Sequence, residues 1–176
     1  MSELRELILK EYSKDHSVFI AEVLEKKTSL IPELLQIIYL EEEPVSRRAA
    51  WSLRTLFDAS PKTLNPFIDD IISHLGRIKS PPILRALIAI ISKTQIDEKW
   101  HGFFLQYTAD LILDRKTEIA VKAFSMDIFF QIAKTQTELF NELEQMIEHI
   151  YPESSKGIQN KCRNLLKWME KIRAKN

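Results

Sequence analysis

A loose repeat of about 34 to 41 residues runs through most of this chain and restricts what it can fold into. Leu30, Pro32, Leu34, Ile37 and Ile38 are echoed 34 residues later by Leu64, Pro66, Ile68, Ile71 and Ile72. Weaker copies follow, with Phe104, Leu111 and Ile112 in one segment and Leu139, Leu143, Met146 and Ile147 in the next. A period of this length implies supersecondary units that bury their apolar faces against their neighbours.

Glycine is scarce, at three residues, and the apolar residues recur with a helical period between short turns, so helix is expected almost throughout. Ser60-Pro61 and Ser80-Pro81 each offer a hydroxyl N-cap followed by proline at the first helical position. Glu43-Pro44 reads as another start, Thr135 and Glu138 have capping-box spacing, and Gly76 and Gly157 are placed to end or separate helices. These signals predict five helical hairpins: residues 2–13 with 16–27, 28–40 with 44–58, 61–76 with 81–93, 97–114 with 116–134, and 137–151 with 154–174. Aligning the second helices places Trp51, Leu87, Phe124 and Leu165 at one position, preceded by Ala50, Ala86, Ala123 and Asn164.

With 176 residues the chain fits one domain, able to bury roughly 70% of the surface its unfolded form exposes. Lys and Arg together equal Asp and Glu at 25 each, so no net charge advertises nucleic acid, a membrane or an acidic substrate. The single cysteine, Cys162, cannot form an internal disulfide and is expected to pack. No basic leader precedes an apolar stretch, and no run approaches the ~18 apolar residues of a membrane helix. A cytoplasmic protein is expected.

The segment Leu30-Ile31-Pro32-Glu33-Leu34-Leu35, followed by Val45-Ser46-Arg47-Arg48-Ala49-Ala50-Trp51-Ser52-Leu53, resembles a HEAT repeat, a relative of the armadillo repeat. Glu41 to Glu43 stand where that family has a turn aspartate, and Ser46 separates Val45 from Arg47. The resemblance is best over residues 28–174, leaving 1–27 as an N-terminal capping hairpin and 154–176 as a basic C-terminal capping helix. It implies an all-α, right-handed α-solenoid whose second helices line a concave face that grips another macromolecule. Fold alone does not identify that macromolecule.

Arg47, Trp51, Arg54 and Asp58 share one face of the second helix of the best repeat, while Ala49, Ala50, Leu53 and Phe57 point toward the core. Arginine-flanked tryptophan suits a contact anchor. The alternative is that Trp51 is buried between repeats, like its apolar equivalents, with its arginines answering Glu41 to Glu43. The last hairpin is electrically split: Glu138, Glu142, Glu144, Glu148 and Glu153 precede a segment in which Lys156, Lys161, Arg163, Lys167, Lys171, Arg173 and Lys175 outnumber the single Glu170. Lys161 and Trp168 could engage phosphates and a base, or the basic helix could cap the stack and neutralise its acidic neighbour.

Catalytic constellations are thin. His16, His74, His101 and His149 fall in different helices, no paired-histidine zinc motif or glycine-rich phosphate loop occurs, and Asp70 with His74 makes only one i, i+4 pair. The expectation is a protein-interaction module without cofactor, metal or chemistry of its own, binding a protein or peptide partner. The rival is a nucleic-acid binder, or an enzyme similar to the DNA alkylpurine glycosylases, in which Trp51, Arg47, Arg54 and Asp127 would take the active roles.

Overall fold

The computed structural model describes residues 2–175, and helices and 3₁₀ turns account for about four-fifths of them. They are α1 (Glu3–Leu9), α2 (Lys14–Lys26), α3 (Ile31–Tyr39), α4 (Val45–Ala59), α5 (Ile68–Leu75), α6 (Pro81–Ile91), α7 (His101–Leu113), α8 (Ile119–Ala133), α9 (Phe140–Ile150) and α10 (Lys156–Arg173). They form two compact units, Met1–Ile91 and Ser92–Asn176. Among the described residues there is no strand, and no helix is long and apolar enough to cross a membrane. Predicted and observed helices correspond one to one.

Three helix starts use a serine whose hydroxyl accepts a backbone N–H three residues on: Ser2 from Arg5, Ser13 from His16 and Ser155 from Ile158. The caps expected at Ser60 and Thr135 do not form. The Ser60 hydroxyl donates to Glu25, and the Thr135 hydroxyl donates back to the Ile132 carbonyl. In both places the chain enters a 3₁₀ turn first, Pro61–Phe67 and Thr137–Leu139. Ser60, at φ −139° and ψ 72°, lies outside the extended backbone an N-cap uses, and Thr135 lies two residues before its turn, where Gln136 takes the cap position. Gly157 lies inside the first turn of α10, not between helices, while Gly76 ends α5 with ordinary right-handed backbone.

In the first unit α4 is the central element, packing on α1, α2, α3 and α6. Its inward face is Ala49, Leu53 and Leu56, all essentially inaccessible to solvent. Two buried or half-buried hydroxyl bonds fix it further: Ser46 donates to the Ile37 carbonyl of α3, and Ser17 of α2 meets Thr55 at 2.8 Å. Each satisfies a polar group that would otherwise be costly to bury. Second helices therefore lie beside second helices, α2 and α6 flanking α4, as stacked hairpins require.

The second unit repeats that arrangement, with α7 beside α9 and α8 beside α10. Its core joins Ile112, Met126, Phe129, Phe140, Leu143, Leu165 and Met169. Cys162 is buried among them, and burial pushes its thiol above the ordinary range, as expected of a packing cysteine. The Gln131 side chain pins residues 94–96 by donating to the Thr94 carbonyl at 3.1 Å and accepting from the Ile96 N–H at 3.3 Å.

Candidate functional site

A short helix leaves its last carbonyls without partners, and in α1 this creates the molecule's most distinctive surface. Arg48, projecting from α4, donates to the carbonyls of Leu9 at 3.1 Å and Glu11 at 3.4 Å. A cation at a helix C-terminus also suits the helix dipole. His16 secures the same turn through its Nε2, 2.8 Å from the Leu7 carbonyl. The turn so held presents Tyr12, which is 56% exposed.

Tyr12 has cations and an aromatic edge around it. The guanidinium of Arg48 lies 5.0 Å and that of Arg47 5.6 Å from its ring centre, and the Trp51 ring meets it edge-on at 5.5 Å, with planes at 72°. Both guanidinium distances fall within cation–π range, and the T-shaped ring pair is a favoured aromatic geometry. Arg48 Nε is buried without a hydrogen-bond partner, so the Tyr12 face helps to balance that charge.

The four α4 residues singled out in the sequence divide into two pairs. Arg47 and Trp51 join the Tyr12 cluster, with Arg47 also 3.2 Å from Glu43 one turn back. Arg54 and Asp58 close on each other at 2.8 Å. The triple glutamate is likewise shared out: Glu42 pairs with Arg5, Glu43 with Arg47, and Glu41 accepts the backbone N–H groups of Lys79 and Ser80 at the start of α6. Only Glu43 answers one of the arginines flanking Trp51.

Burial corrects the register of the second helices. Ala49, Leu53, Leu56 and Phe57 of α4 match Ile83, Leu87, Ile90 and Ile91 of α6, all buried, at a spacing of 34 residues. The same logic sets Ala49, Ala50, Leu53 and Phe57 against Ser125, Met126, Phe129 and Ala133 of α8, and Ser46, Ala50, Leu53 and Phe57 against Ile158, Cys162, Leu165 and Met169 of α10. Trp51 thus corresponds to Arg85, Asp127 and Arg163, not to Leu87, Phe124 and Leu165. It is a half-buried aromatic at a position that is charged in the other repeats.

In the second unit Lys161 is ion-paired with Asp127, both partly buried. Trp168 is 45% exposed and stacks on Phe130 at 5.8 Å, and Lys134 sits 5.6 Å from the other ring's centre. Lys161 and Trp168 therefore have different neighbours. Charge neutralisation within the last hairpin is direct, since Arg173 of α10 holds Glu144 of α9 at 2.6 and 3.0 Å and Asn141 at 2.9 Å. Asp127, the acid a glycosylase reading requires, belongs to the second unit, whereas Arg47, Trp51 and Arg54 belong to the first.

Asp70 and His74 are held within a small cluster. The Tyr39 ring stacks on His74 with centres 3.9 Å apart, and its hydroxyl donates to Asp70 Oδ2 at 2.9 Å. Among the described residues, no group of three His, Cys, Asp or Glu side chains is placed to hold a metal ion. Sequence reasoning missed Tyr12 and Arg48. Neither carries a local signal, because their meeting depends on the turn after α1 docking on α4, a contact between residues 36 positions apart.

Neither a curated protein nor a solved structure matches the chain. The HEAT repeat domain family does, over residues 4–169, nearly the whole chain. Paired helices in which second packs beside second and first beside first agree with that match, and the chain belongs to the HEAT repeat family.

Proposed function

We propose that this protein is a non-catalytic interaction module that binds another protein through the surface formed by Tyr12, Arg47 and Trp51. One observation carries the reading: an exposed tyrosine with two guanidinium groups within cation–π distance of its ring and a tryptophan in a T-shaped contact with it. Tyr, Trp and Arg are the residues most enriched among interface hot spots. Arg48 is committed to the carbonyls of Leu9 and Glu11, so it holds the surface in place, while Arg47, beside the Tyr12 ring and in an exposed i, i+4 pair worth ~0–1 kcal/mol, can be recruited by a partner.

Three of the cations most relevant to nucleic acid are paired with acids within the fold. Arg54 pairs with Asp58, Lys161 with Asp127 and Arg173 with Glu144. A phosphate-tracking surface needs a run of uncommitted cations.

A photo-crosslinking residue placed at Tyr12, with a control at Asp58, tests the reading in extract from the source organism. The expected result is a discrete protein adduct from position 12 that disappears when Arg47→Glu is added, with little adduct from position 58. Nucleic acid recovered instead, and released by moderate salt, would overturn it in favour of the DNA-directed alternative.

A further inference from the structure

The second unit contains a cleft of about 300 Å³ between the α7–α8 turn and the α9–α10 turn, unrelated to the Tyr12 surface. Arg115, Lys122 and His149 line it, opposed by the single carboxylate of Glu153. Leu113 and Ile119 form an apolar part of its wall, and Ile119 is among the most exposed large apolar residues described, at 60%. The volume lies at the lower end of the range for ligand sites. Helices α8 and α10 both start beside this cleft with no acid in the first turn, where Lys122 and Lys156 lie. Acids are the residues a helix start favours; here Glu118, at the N-cap of α8, and Glu153, before α10, stand just outside those turns, and the cations that line the cleft itself are Arg115 and Lys122.

We propose that this cleft receives an acidic peptide segment of a partner protein, its carboxylate between Arg115 and Lys122 and a neighbouring apolar side chain on Leu113 and Ile119. The charge is complementary, and the exposed apolar wall calls for more than a small anion, which would leave Ile119 in water. Glu153 acts as the placeholder. It holds Arg115 at 2.8 Å, but the side chains are 65% and 79% exposed, so a ligand carboxylate can replace it at little cost. The proposal shares only the premise of protein binding with the reading above and rests on different residues.

Its test is fluorescence anisotropy of the full chain with short labelled peptides pairing Asp or Glu with Leu or Phe, beside counterparts in which the acids become Asn or Gln. Saturable binding of the acidic set is expected, weakened about tenfold or more by Arg115→Glu/Lys122→Glu and clearly weakened by Ile119→Asp. Glu153→Gln should tighten binding, a gain that a misfolded variant could not produce. Tyr12→Ala should leave it unchanged, which separates the fate of this cleft from that of the Tyr12 surface. Equal binding of acidic and amide peptides, binding of neither, or response of the Lys122 amide to inorganic phosphate alone would overturn the proposal.

Discussion

Glu41 combines two conflicting demands. Its backbone lies in the left-handed region at φ 52°, where a side chain is strained, yet its carboxylate accepts the Lys79 N–H at 2.9 Å and that of Ser80. Glu41→Ala should therefore destabilise the protein by ~1–3 kcal/mol through the lost acceptor. Glu41→Gly should recover about 1 kcal/mol of that by relieving the backbone. Urea unfolding of both variants checks the order, and a glycine variant less stable than the alanine one would contradict it.

Tyr39 gives a second test at this scale. Burial pushes its phenol well above the ordinary value of 10.0, and the hydrogen bond and charge of Asp70 add to the rise. A raised folded-state value means that the folded chain keeps a proton the unfolded chain gives up. The stabilisation is complete below about pH 10 and falls as pH climbs above it. Tyr39→Phe should flatten that alkaline decline, measured by unfolding across the range, while losing the bond to Asp70 at neutral pH.

At the scale of elements, ten helices were legible because proline, glycine and short polar turns punctuate strong apolar periodicity. The 3₁₀ turns that open several first helices were not, since Thr28–Leu30 and Glu98–Trp100 differ from α-helix only in hydrogen-bond spacing. Register was the larger miss. A small residue beside a large one recurs along these helices, so Ala50-Trp51 could be laid on Ala86-Leu87 although the buried partner of Leu87 is Leu53. Leu53→Ala should cost ~2–5 kcal/mol, and Trp51→Ala clearly less despite its larger side chain. Chemical denaturation of the two variants distinguishes a rim tryptophan from a core one, and the reverse order would return Trp51 to the core.

At the scale of the whole molecule, the family match and the pairing of like helices explain how a chain with no net charge and few glycines builds stacked hairpins from imperfect repeats. Half of the candidate surface was readable, because helical spacing alone puts Arg47 and Trp51 on one face of α4. Tyr12 was not, since only the docked turn after α1 brings it there. The most direct measurement compares the melting temperature and partner recovery of Tyr12→Ala/Arg47→Glu with those of the native chain. A modest drop in melting temperature, from the lost contacts of Tyr12 with Trp51 and Arg48, with the chain still folded and the partner lost, is the predicted result; recovery of the same partner in equal amount would show that this surface is not where the protein binds.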